Sequence, residues 1–115
     1  MSQGADPRAP LEATADAGAI ALSRAERAIV RAILRRCLPA GTVVRIFGSR
    51  AGATAKRMAD LDLAIRLPTG HLDLATLARL ADALEEPDLP FRVDLADLEQ
   101  LPPEFLEGSR LLEVV

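Results

Sequence analysis

The stretch Val43–Leu67, VVRIFGSRAGATAKRMADLDLAIRL, decides how this chain is read. Val43, Val44, Ile46 and Phe47 make a short apolar, β-branched run, too brief for a helix and closed by Gly48, which predicts a strand. From Asp60 to Leu67 the residues alternate: Leu61, Leu63, Ile65 and Leu67 share one face of an extended segment, and Asp60 and Asp62 share the other. The second strand therefore buries leucines and presents two carboxylates. Between the strands, Gly48 and Ser49 leave the first one and enter a short helix. A glycine there lets the backbone approach a bulky anion, while amides at a helix start and a serine hydroxyl supply donors for phosphate oxygens.

Working outward, Ser23 and Glu26 form a capping box ahead of Ile29, Val30, Ile33, Leu34, Cys37 and Leu38, which recur at helical spacing until Pro39 and Gly41 stop them. Residues 1–19 mix Gly, Ala, Pro and Asp without a period and read as a disordered tail ahead of one domain over 20–115. After the turn at Pro68–Gly70, Leu74, Leu77, Ala78, Ala81 and Leu84 predict a second helix ended by Glu86 and Pro87, with Leu77, Leu80 and Leu84 in the core. Phe91, Val93 and Leu95 alternate with Arg92 and Asp94 and predict a third strand. Pro102 to Leu106 read as a short helix with proline in its first turn, broken at Gly108, and Leu111–Val115 as an extended tail segment. The fold class expected is α/β (α+β): a small mixed three-stranded sheet flanked by helices.

Composition narrows the function. A chain of 115 residues has room for one ordinary domain, and half of it is apolar with 27% charged, a balance that supports a packed core. Its 14 Lys and Arg against 17 Asp and Glu leave a net charge of −3, and its three aromatics are all Phe, so neither a dedicated nucleic-acid surface nor a base-stacking platform is expected. One cysteine, Cys37, on the apolar helix face, excludes an internal disulfide and a thiolate-rich zinc site and fits a reducing cytoplasm. The N-terminus lacks the basic start and apolar block of a signal peptide, and no membrane association is expected. Charge is unevenly placed: residues 20–66 hold ten basic and three acidic side chains, a local +7 that suits an anionic ligand. The stripe Arg24, Arg27, Arg31 and Arg35 reads as solvated helix surface, and His71 has no Cys or second His beside it to make a ligand set.

Asp60 and Asp62, two apart on one strand face, bring their carboxylates close enough to hold hard divalent cations such as Mg2+, and Asp94 on the next strand adds a third. Oxygen donors from two strands facing a phosphate-binding turn are what two-metal nucleotidyl transfer requires.

On these residues the chain resembles a known family. Gly48-Ser49, ten residues, Asp60-x-Asp62 before a hydrophobic strand, and a later Asp94 in V-D-L are similar to the nucleotidyltransferase fold shared with DNA polymerase beta. Length and ending resemble more narrowly the minimal nucleotidyltransferases, the MNT proteins, many of them antitoxins encoded beside a HEPN-domain toxin. The resemblance covers roughly residues 23–113. It implies that Gly48, Ser49 and Arg50 contact the nucleotide triphosphate, that Asp60, Asp62 and Asp94 bind two Mg2+ ions, that ATP is the donor, and that AMP passes to a tyrosine hydroxyl of the toxin. Where family members often read G-S-R-A-R-G, this chain has Gly52 and Ala53, and Ala59 stands where Ser is common before the first Asp; Lys56 and Arg57 lie in the same connection as alternative cations. A single domain of this size has little capacity to enclose an acceptor, so a partner protein is expected to bring it. Two other functions remain open at this point: a binding module that neutralises a toxin by covering it, and a nucleotidyltransferase for a small-molecule or RNA acceptor.

Overall fold

The computed structural model describes residues 20–52, 55–56 and 58–113; the expected N-terminal tail and Arg57 lie outside them. Helix α1 spans Arg24–Cys37. Its start is the expected capping box: the Glu26 amide donates to Ser23 Oγ at 3.0 Å, and the Ser23 amide donates back to Glu26 Oε1 at 2.9 Å, which satisfies two of the donors that a helix start leaves open. It ends because Leu38, preceding Pro39, is held in the extended region.

Strand β1 (Val43–Phe47) leads into a 3-10 turn over Gly48–Ala51, and β2 follows at Leu61–Arg66. Helix α2 (Leu74–Ala83) connects β2 to β3 (Val93–Asp97). Two further 3-10 turns, Leu98–Gln100 and Pro103–Leu106, precede β4 (Arg110–Leu111). The sheet order is β3-β2-β1-β4, with β2 and β3 parallel and the other pairs antiparallel. The sheet thus has four strands where three were expected. The fourth begins at Arg110 and takes in Leu111, the first residue of the segment read as a tail, and just past it the Leu112 amide donates to the Val44 carbonyl at 2.9 Å.

Both helices pack on one face of the sheet. Val30, Ile33 and Leu34 of α1 and Leu80 and Leu84 of the second helical segment meet Val44, Ile46, Leu61, Leu63 and Ile65 in one cluster of buried residues. Of the leucines expected in the core here, Leu80 and Leu84 are buried; the wider apolar pattern is corrected, since Leu74 is 79% exposed, Ala78 and Ala81 are exposed too, and Thr76 turns inward. Leu77 is only partly buried, and the helix stops at Ala83, short of Glu86 and Pro87. Its start is an Asp73 cap, whose carboxylate accepts from the Thr76 amide at 2.7 Å and from the Thr76 hydroxyl at 3.0 Å. Among the described residues no helix is long and apolar enough to cross a membrane.

Candidate active site

The alternation in β2 works as its pattern predicts. Leu61, Leu63 and Ile65 are 0%, 1% and 0% exposed against the helices, which sends Asp62 to the opposite face. Parallel pairing then sets Asp62 beside Asp94, and antiparallel pairing sets it beside Phe47, the residue before Gly48. Residues in register share a face, so Asp62 and Asp94 stand on adjacent strands side by side.

Gly48 is required here for two reasons. Its φ is +73°, a left-handed conformation that side chains rarely adopt, and a Cβ at this position would lie 2.7 Å from Asp62 Oδ2. The turn and the carboxylate are therefore in direct contact, and Ser49 follows on the exposed start of the 3-10 turn. Asp60, just ahead of β2, is not pressed into the same spot. Its Oδ2 stands 3.8 Å from the Arg92 guanidinium, which also reaches Asp94 Oδ1 at 3.5 Å. Arg92 thus bridges two of the expected carboxylates. Its position two residues before Asp94 on an alternating strand places it on the same face, a signal present in the sequence and passed over there.

Burial, then the neighbouring charges of Asp94 and Asp60, and finally a hydrogen bond with Asp94 push the Asp62 carboxyl above the usual carboxylate range. Such crowding of like charge is relieved by a cation, and all three side chains are hard oxygen donors, so the donor set suits Mg2+ in chemistry. Among the described residues no three acidic, histidine or cysteine side chains are grouped closely enough to hold an ion as they stand, and Asp60 lies toward Arg92.

Arg50 is the expected nucleotide contact that the structure sets apart. Its side chain is buried at 4% exposure. It donates through Nε to the Ala59 carbonyl at 2.8 Å and through its terminal nitrogens to Ala21 at 2.6 Å and Lys56 at 3.3 Å. The guanidinium also lies 4.2 Å from the centroid of the Phe91 ring. It clamps both ends of the connection that carries Gly48 to Asp60, and so positions the turn rather than facing the carboxylates. Lys56, the other cation expected in that connection, is exposed.

A glycine-serine turn seated against carboxylates from two neighbouring strands, on a mixed sheet backed by two helices, is the architecture of a nucleotidyl-transferring enzyme. The family model for polymerase beta-type nucleotidyltransferases matches residues 39–109, and the chain belongs to that family. It is 44% identical over 90 residues to the probable protein adenylyltransferase MntA of Haemophilus influenzae, an overlap covering 78% of this chain and 77% of that protein. The chain is accordingly an MNT-type nucleotidyltransferase.

Proposed function

We propose that this enzyme moves AMP from ATP to a tyrosine hydroxyl of a partner HEPN-domain toxin in the cytoplasm, and so acts as its antitoxin. The observation that carries the reading is the seating of Asp62 against Gly48 with Asp94 in register beside it, because the phosphate-binding turn and the charged groups needed for transfer then converge. The name of the Haemophilus relative, a protein adenylyltransferase, supports a protein acceptor and an adenylyl group.

In this reading Gly48 and Ser49 receive the triphosphate through backbone amides and the serine hydroxyl, and Arg50 keeps their turn in shape from within. Asp60, Asp62 and Asp94 are the residues that would hold two Mg2+ ions, and such ions would screen the triphosphate and favour attack at its α-phosphorus. The acceptor oxygen forms its bond to that phosphorus as the bond to the β-phosphate oxygen breaks; pyrophosphate leaves and the hydroxyl proton passes to solvent. Asp62 and Asp94 orient the reacting groups on the open face of the sheet.

Intact-mass spectrometry of the neighbouring gene's product, mixed with this chain, ATP and Mg2+, tests the proposal. The expected result is a mass gain in steps of one AMP, abolished by Asp60→Asn and by chelation. A product that gains no mass, but whose toxicity is still suppressed by the Asp60→Asn protein, would favour a module that neutralises by covering.

A further inference from the structure

The sheet face that carries the carboxylates is left uncovered by the helices, and a groove of about 610 Å3 lies on it. That volume is within the range of roughly 300–1,000 Å3 typical of small-ligand sites. The polar side chains lining it are Asp62, Asp94 and Glu104, and the rest of the lining is alkyl, phenyl and glycine. Ala64 and Ala96 are register partners one strand repeat on from Asp62 and Asp94, and both line the groove, Ala64 at its base with 1% exposure. Beside them Phe47 and Phe105 stand with ring centroids 6.4 Å apart and planes tilted by 58°. The chain has three aromatic residues, so two of the three serve this groove, and Phe105 remains 51% exposed there.

The wall that holds Phe105 is anchored. Ser109, 3% exposed, donates from its hydroxyl to the Leu106 carbonyl at 2.8 Å and accepts from Arg45 Nε of β1 at 2.6 Å. The wall is also acidic: residues 97–107 contain Asp97, Glu99, Glu104 and Glu107 and no Lys or Arg. His71 and Arg66 stand beside Asp97 and Glu99, at 3.2 Å and 3.7 Å. Glu104 and Glu107 are exposed and have no cationic partner among the described residues.

We propose that this groove seats the acceptor, a tyrosine ring carried on a positively charged segment of the partner protein, with Phe105 and Glu104 as its specificity determinants. The inference rests on the transfer reading above. A phenol fits because its one polar atom stands at the end of an apolar ring, and the groove likewise has its carboxylate pair beside an apolar floor. A purine would instead set its hydrogen-bonding edge against alkyl and phenyl side chains, leaving polar atoms unpaired. The exposed Phe105 face supplies ring-on-ring contact, and Glu104 and Glu107 attract basic residues flanking the tyrosine.

Amide-resolved NMR of the full chain, titrated with the peptide Arg-Gly-Tyr-Gly-Arg and with its Glu-for-Arg counterpart, tests this without relying on transfer. The basic peptide should shift amides of Ala64, Ala96 and Leu101–Gly108 and bind about tenfold more tightly than the acidic one, a preference that salt erodes. Phe105→Ala should weaken binding about tenfold, Phe105→Tyr should restore it, and Glu104→Lys should remove the charge preference. Shifts elsewhere, equal binding by Phe105→Ala, or adenosine moving these amides while the peptide does not, would overturn the groove assignment. AMP transfer to the partner at an unchanged acceptor KM in Phe105→Ala would overturn the groove alone. Absence of transfer alongside peptide binding in the groove would overturn the transfer reading alone.

Discussion

The two faces of β2 are built from alternate residues of one six-residue strand, yet they obey different rules. On one face Leu61, Leu63 and Ile65 are almost wholly withdrawn from water and meet two helices. On the other, Asp62 retains partial solvent contact and sits among like charges. The leucine face gains from burial and close packing, so its worth is measured in stability. The aspartate face gives up some stability by gathering negative charge, so its worth is measured in chemistry. Neighbouring residues one position apart should therefore fail in opposite ways.

The largest effect is expected on the packed side. Leu63→Ala leaves a cavity under the helices and should cost about 2–5 kcal/mol, read by urea unfolding. A loss below about 1 kcal/mol would break the contrast between the faces, since a fully buried leucine has no cheaper outcome. Arg50→Met comes next. It keeps the stem but leaves the Ala21, Ala59 and Lys56 carbonyls without their donor, and about 1–3 kcal/mol of stability should go with it. Transfer should fall as well, because the clamped connection carries Gly48 and Asp60 at its two ends.

Asp62→Asn sharpens the comparison most directly. AMP transfer should vanish, while the metal-free melting temperature rises slightly. The sign follows from the raised carboxyl: a group whose ionised form is disfavoured by folding opposes stability at neutral pH, and a neutral amide removes that opposition. A lower metal-free melting temperature in calorimetry would mean that Asp62 is structural. The smallest effect concerns Asp73, which caps the helix covering the leucine face. Hydrogen bonds from the Thr76 amide and hydroxyl hold its carboxyl below the usual range. A depressed carboxyl contributes stability above its unfolded value and loses it as pH falls through the folded one, so this contribution should disappear on the acid side of the ordinary carboxylate range. Comparison of acid unfolding curves should show a shallower acid limb in Asp73→Asn.

Much of this was legible because the relevant codes are local. Alternation over Leu61–Leu67 specifies a half-buried strand through the geometry of the extended chain, and Ser23 with Glu26 specifies a helix start through groups three residues apart. The phase of α2 was not legible: in LATLARLADA leucine recurs every third residue amid several alanines, so more than one face reads as apolar. Leu74 counted toward the apolar period that predicted the helix, and it faces water. The Asp73 cap was missed because Thr76, not Glu or Gln, stands at the third helical position, so no capping box marks the start. β4 was missed because a two-residue strand carries almost no pattern of its own and exists through its pairing with β1.

By itself, then, the sequence determined the strands β1 to β3, the first helix, the glycine-serine turn and the supply of carboxylates, since each depends on periods and spacings within a few residues. Only the tertiary structure decided what those parts face. Gly48 meets Asp62 because β1 and β2 pair in one register, and Asp62 meets Asp94 because β2 and β3 pair in another. Arg50, by type a surface or ligand residue, is drawn inside because three carbonyls and the Phe91 ring come together around it. Arg92 spans Asp60 and Asp94 because parallel pairing brings their strands together, and the acidic wall with Phe105 stands over Ala64 and Ala96 through Ser109 and Arg45. Orientation of this kind is set by contacts between segments far apart in the chain, and such contacts leave no trace in local periodicity.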